Sequence, residues 1–190
     1  MVRRGPTSSV LAHHVLSKRA LLIFKRARRR TYTYKKGSTE MKVKDFLVTK
    51  AVTVDLKATN KEGVMKELLN LLVKSGVVDD EDKLFKVLMN RESLGSTGIG
   101  QGVGIPHGKS DSVSKLIGAF GISRSGVDFD SLDGEPTNIF FLLIAPEDSA
   151  GPHLKALAKI SRLLKDKFLR DSLLRTKSPK EAIDILTKEE

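Results

Sequence analysis

Two histidines and one glycine-rich stretch hold the residues of this 190-residue chain best equipped for chemistry. Residues 95–109 read GSTGIGQGVGIPHGK. Glycines let a backbone adopt positive φ and come close to a ligand. Pro106 fixes the chain just ahead of His107. Such a segment offers backbone N–H groups to an anion, and Ser96 and Thr97 add hydroxyl donors. The second histidine, His153, follows Gly151-Pro152 at the head of an expected helix. A neutral imidazole attacks a phosphoryl group well when backbone N–H groups and a cation meet the developing charge. Arg91, near the end of the preceding helix, is the candidate cation. Plainer readings stand beside these: a glycine-rich turn, a structural histidine, and a helix-end arginine favoured by the dipole.

Other chemistries fit the spacing less well. A phosphate-binding loop needs glycine, four residues, then Gly-Lys, and counting back from Gly108 lands on Val103. No G-x-G-x-x-G completes from Gly98, Gly100 or Gly102. Two imidazoles and a carboxylate can hold zinc, but no H-x-E or H-x-x-x-H spacing occurs, and Asp111 and Asp148 read as loop acids. Ser96 or Ser149 as a nucleophile lacks a G-x-S-x-G elbow. No metal and no cofactor is expected.

The elements that must position these groups follow from periodicity. Residues 43–48 read as a short amphipathic turn, and 51–56 alternate as a half-buried strand does. Asn60 is a plausible N-cap, and Val64, Leu68, Leu69, Leu71 and Leu72 form the apolar face of a helix closed at Gly76. Asp79 opens a second helix, with Leu84, Phe85, Leu88 and Met89 inward. The glycine segment reads as a loop. Residues 116–122 and 126–130 read as two strands, with a turn at Asp133-Gly134. The apolar run 139–145 has the pattern of a central strand buried on both faces, stopped by Pro146. A long helix starts at His153, and two closing helices span 168–174 and 179–186, with Pro179 in a first turn. The fold class is α/β: one domain over 41–190, a mixed central sheet flanked by helices. Both histidines fall near strand ends, where sites of open α/β folds gather, and His107 is expected to be exposed rather than packed.

The formal net charge of +11 is unevenly distributed. Residues 1–40 carry 11 Lys/Arg and one acid, leaving 23 basic against 22 acidic residues in 41–190. The basic signal belongs to the N-terminal segment, so a nucleic-acid role for the domain loses its support. That segment reads as a disordered or non-native extension, with Met41 as the expected start. Cysteine is absent, which excludes disulfides and thiolate chemistry and fits a reducing compartment. No apolar run is long enough to span a membrane.

Three motifs carry a family resemblance. They are Asn90-Arg91-Glu92 with 95–100, then 103–108 (VGIPHG), and 145–151 (APEDSAG) continuing into His153-Leu154-Lys155-Ala156-Leu157. With them, residues 41–190 resemble the IIA proteins of the fructose/mannitol class of the bacterial phosphotransferase system, nearest the nitrogen-regulatory branch. One departure is Gly104, where the family usually has alanine. The resemblance implies a type-2 IIA fold and a cytoplasmic phosphocarrier. In it, His107 accepts a phosphoryl group through Nε2 from the phosphohistidine of an HPr-like carrier. Arg91 would lie beside the phosphoryl group, and His153 would hydrogen-bond it. Ser96, Thr97, Gly100, Gly102 and Gly108 would line its pocket. Downstream partners would be regulatory target proteins or, for a sugar-specific IIA, a IIB domain.

Overall fold

A computed structural model describes residues 40–188. The expectations for residues 1–39 lie outside the described residues. The chain runs β1 (Leu47–Thr53), α1 (Lys61–Lys74), α2 (Glu81–Glu92), β2 (Gly98–Gly100), β3 (Val103–Gly104), β4 (His107–Lys109), β5 (Ile117–Val127), β6 (Thr137–Ala145), α3 (Ala150–Lys165), α4 (Lys167–Arg175) and α5 (Pro179–Lys188). A single 3-10 turn over Val43–Asp45 precedes β1.

Local signals set the helix ends. The Asn60 side chain accepts from the Gly63 N–H at 2.8 Å and starts α1. Gly76, at φ +76°, takes the left-handed turn that ends it. Asp80, one residue later than expected, caps α2 by accepting from the Lys83 N–H.

The six strands form a mixed sheet in the order β1-β5-β6-β3-β2, with β4 also paired to β6. Strand β6 is central, as its unbroken apolar run requires. Its side chains alternate between two cores. Ile139, Phe141 and Leu143 pack with α3, α4 and α5. Phe140, Leu142 and Ile144 pack with α1 and α2. Each fully buried side chain of this size contributes roughly 1.5–3 kcal/mol, so β6 is the stiffest part of the sheet.

Three expectations change. The first strand covers 47–53 rather than 51–56, because its parallel partner β5 takes Leu47 opposite Gly118. The chain leaves the ladder after Thr53, though the Leu56 N–H still donates to Ile122 O. The two strands expected at 116–122 and 126–130 are one strand, β5, with a register shift between Ile122 and Val127 where Gly126 sits at φ +75°.

The glycine segment is not a loop. It forms a tight β2–β3 turn and then two short strands parallel to β6. Val103 and Gly104 face Ile139 and Phe140. His107, Gly108 and Lys109 face Leu143, Ile144 and Ala145. The offset is the same in both, so β3 and β4 are one strand interrupted at Ile105-Pro106, where proline has no N–H to give the ladder.

Candidate active site

His107 is the first residue of β4, on the sheet edge beside β6. Its Nδ1 lies 2.7 Å from the Ile105 carbonyl. A carbonyl only accepts, so the contact holds the proton on Nδ1 and leaves the Nε2 lone pair available. No hydrogen-bond partner of Nε2 stands among the described residues. The ring is half-buried rather than exposed, because the α2 and α3 layers rise on either side of the edge.

His153 is the fourth residue of α3, the helix that follows β6, and is 7% exposed. The expected helix start at His153 shifts to Ala150. The two imidazoles stand edge to face, with centroids 5.6 Å apart and planes at 62°. His153 Nε2 is buried with no hydrogen-bond partner among the described residues. An unpaired buried polar atom is costly unless something completes it.

Arg91, in the last turn of α2, donates from Nη1 to the Gly95 carbonyl at 3.0 Å and is partly exposed. It lines the same cleft as both histidines, a cavity of about 360 Å³ completed by Val87, Asn90, Leu94, Gly108 and Lys109. A groove of about 410 Å³ between α3, α4 and α5, lined by Lys159, Arg162 and Phe168, is larger. It holds no histidine, so the smaller cleft is where nucleophile chemistry can occur.

The electrostatics keep both rings neutral. Burial pushes the His107 pKa below the ordinary histidine value. The Ile105 hydrogen bond opposes this, the Arg91 charge adds to it, and Glu92 acts against it. His153 is pushed down to about 4, by burial first and then by His107 and Lys109. At neutral pH the cleft therefore holds two uncharged imidazoles beside the fixed cations Arg91 and Lys109.

The structure divides the expected pocket residues. His107, His153, Arg91 and Gly108 converge on the cleft. Ser96, Thr97, Gly100 and Gly102 are outside its lining. Ser96 Oγ donates to Phe129 O at 2.9 Å. Thr97 gives both its N–H and its hydroxyl to the Glu92 carboxylate. The Gly100 N–H goes to Ser131 Oγ, and the Gln101 N–H to Asp133. Gly102, at φ +73°, turns the chain between β2 and β3. The glycine segment thus spends its donors on its own fold rather than on an anion.

From the sequence, Asn90 is only part of a motif, Lys109 only closes the glycine segment, and Val87 and Leu94 do not stand out. A helical signal exists for two of them: 87 and 90 share the face of α2 that carries Arg91, and Leu94 lies in the turn just past its end. Lys109 lies two residues past His107, on the same side of a strand. Among the described residues, no group of three or more His, Asp or Glu side chains is close enough to hold a metal ion.

Known proteins share this sequence and fold. Residues 45–189 match the family model described as phosphoenolpyruvate-dependent sugar phosphotransferase system, EIIA 2. A nitrogen regulatory protein of Bradyrhizobium diazoefficiens is 39% identical over 133 residues, covering 70% of this chain and 86% of its own. A fructose-specific EIIA component of Haloferax volcanii is 38% identical, covering 71% of this chain and 88% of its own. A fructose-specific EIIABC component of Bacillus subtilis is also 38% identical, but the match covers 77% of this chain and 23% of that protein. Among solved structures, nitrogen regulatory protein IIA-Ntr from Neisseria meningitidis superposes with a TM-score of 0.70 at 36% identity, covering 75% of this chain and 97% of that one.

Proposed function

The chain belongs to the EIIA 2 family of the phosphoenolpyruvate-dependent sugar phosphotransferase system, and from that premise we propose that it is a cytoplasmic phosphocarrier acting through His107. The acting unit is residues 41–190. The observation that carries the reading is the His107 ring, tied at Nδ1 to the Ile105 carbonyl at 2.7 Å while Nε2 stays unengaged in the cleft.

The step balances simply. The Nε2 lone pair of neutral His107 attacks the phosphorus carried by a donor phosphohistidine, supplied by an HPr-like protein. The new N–P bond forms as the donor's N–P bond breaks, and the electron pair returns to the donor imidazole. The His107 ring gains positive charge, which the Nδ1–H bond to Ile105 helps to spread. The phosphoryl oxygens are met by Arg91 and Lys109, and His153 completes a hydrogen bond to them through its unpaired side. One N–P bond replaces another, so the exchange is near thermoneutral and reversible. The protein's task is positioning and charge stabilisation.

The output we favour is regulatory: the phosphorylation state governs binding to other proteins, in nitrogen or potassium metabolism. The 36% identity and TM-score of 0.70 with IIA-Ntr support this branch. The fructose-specific relative at 38% identity supports a second reading, delivery to a IIB domain during sugar uptake. Radiolabel passed from phosphoenolpyruvate through an HPr-type carrier should appear on the wild-type protein and be lost in His107→Gln. Label uptake at the normal rate by that variant would overturn the assignment. Rapid discharge by a fructose- or mannitol-type IIB domain would favour the second reading.

A further inference from the structure

One buried ionisable group has no part in the transfer step. Glu92, the last residue of α2, is 6% exposed. Its carboxylate accepts from the Thr97 N–H at 3.1 and 3.0 Å, from Thr97 Oγ1 at 2.5 Å, and pairs with Lys61 Nζ at 2.9 Å. A buried ion pair is weak support for stability, since an apolar replacement often serves as well. What it can supply here is geometry.

Two chains of contacts lead from it to the cleft. In the first, the Thr97 carbonyl accepts the Ile105 N–H at 2.9 Å, and the Ile105 carbonyl holds His107 Nδ1 at 2.7 Å. In the second, the Gly95 N–H donates to the Glu92 backbone carbonyl at 3.0 Å, and the Gly95 carbonyl takes the Arg91 guanidinium at 3.0 Å. Residues 95–97 are thus clasped at both ends by Glu92, and each end orients one group of the cleft.

We propose that the Glu92 side chain is a positioning group for the transfer, fixing the ring of His107 through Thr97 and Ile105, while its backbone carbonyl holds the Gly95 turn that receives Arg91. It touches neither the phosphoryl group nor the donor. Its effect on rate rests on the phosphocarrier reading; its effect on the ring does not. Lys61 pairs with the carboxylate at 2.9 Å and holds it turned toward Thr97. It is itself held by Asp130 at 2.7 Å and stands over the Phe129 ring.

The test compares full-length wild type with Glu92→Gln and Thr97→Val. A glutamine has one accepting oxygen where the carboxylate serves three donors, so the clasp loosens without a change in size. Nitrogen-resolved NMR of the His107 ring should show a single Nδ1–H tautomer in the wild type and a mixture in Glu92→Gln. The turnover rate of label uptake from a charged HPr-type carrier should fall about tenfold, because a small misplacement of a reacting group is expensive. KM for that carrier should hardly move. Thr97→Val, which keeps the Glu92–Lys61 pair, should lose about threefold, as expected for one hydrogen bond.

A wild-type tautomer and rate in Glu92→Gln would overturn the proposal and leave Glu92 as a buried partner of Lys61. Should Glu92→Gln fail to fold, Thr97→Val decides by the same two readings. A wild type that takes no label sinks the carrier reading instead, and the tautomer comparison still decides the role of Glu92.

Discussion

His107 and His153 meet edge to face across the cleft, and both are mounted on β6. His107 pairs with Leu143 near the end of that strand, and His153 sits in the first turns of the helix that follows it. The His107 ring disfavours charge on His153, and burial disfavours charge on both.

A pH dependence of stability follows for His153. Its folded pKa of about 4 lies below the ordinary value of 6.5. Between these values the unfolded chain binds a proton that the folded chain does not, so stability rises with pH. The contribution is complete above about 6.5 and is lost as pH falls toward 4. Urea midpoints measured across that window should fall steadily for the wild type and more gently for His153→Gln. Equal slopes would show that His153 is not held neutral by its surroundings.

Arg91 acts on the nucleophile in two ways. It meets phosphoryl charge, and it adds to the lowering of the His107 pKa. Arg91→Ala should slow label uptake by about 10²-fold, the usual scale for losing one charge-stabilising group. The acid limb of the rate profile should also shift to higher pH, since the ring then protonates more readily. Arg91→Lys should restore the acid limb better than the rate, because the ammonium keeps the charge but not the planar fork.

Gly108 is a packing requirement next to the nucleophile. A Cβ there would stand 2.6 Å from Val87 Cγ1 on α2. Valine on a helix is nearly fixed at χ1, so the strand must shift instead. Gly108→Ala should cost about 1–3 kcal/mol of stability and slow phosphorylation through displacement of His107. Chemical unfolding and label uptake check the two effects separately.

Gly104 is the position where the family resemblance expects alanine. A Cβ would lie 3.0 Å from Phe140 Cδ1 and 3.3 Å from Thr137 Cγ2. Phe140 is fully buried and braced by Phe129 at 5.1 Å between ring centroids, so it has little room to yield. Gly104→Ala should destabilise this chain by about 1 kcal/mol, the crowding exceeding the entropic gain of replacing glycine. Its denaturant midpoint relative to the wild type measures this.

What the sequence showed depended on how local the cause was. Asn60, Gly76 and the apolar faces of α1 and α3 act within one or two turns, so spacing alone revealed them. The apolar run of β6 announced a doubly buried strand. The glycine segment reads locally as a loop because its strand character comes from pairing with 139–145, more than thirty residues away. A similar distance hid the fate of the Gly100 and Gln101 N–H groups, which go to Ser131 and Asp133. His107, His153 and Arg91 stood out by residue type and by motif. Asn90 and Lys109 appear in the motifs without a role, because a polar residue on a helix or an edge strand is most often just solvated.

The parallel pairing of β4 with β6 has a consequence for how the domain fails. Loop-borne sites usually sit at the labile end of a protein's local unfolding spectrum. Here the strand that carries the nucleophile is tied to the most deeply buried strand by its neighbours, with the Leu143 N–H donating to Pro106 O and the Ser110 N–H to Ala145 O. The Ser110 amide proton and those of β6 should exchange with solvent together, at the cost of opening the whole domain. The chemistry and the fold then disappear in one cooperative event, with no intermediate that is folded but disarmed.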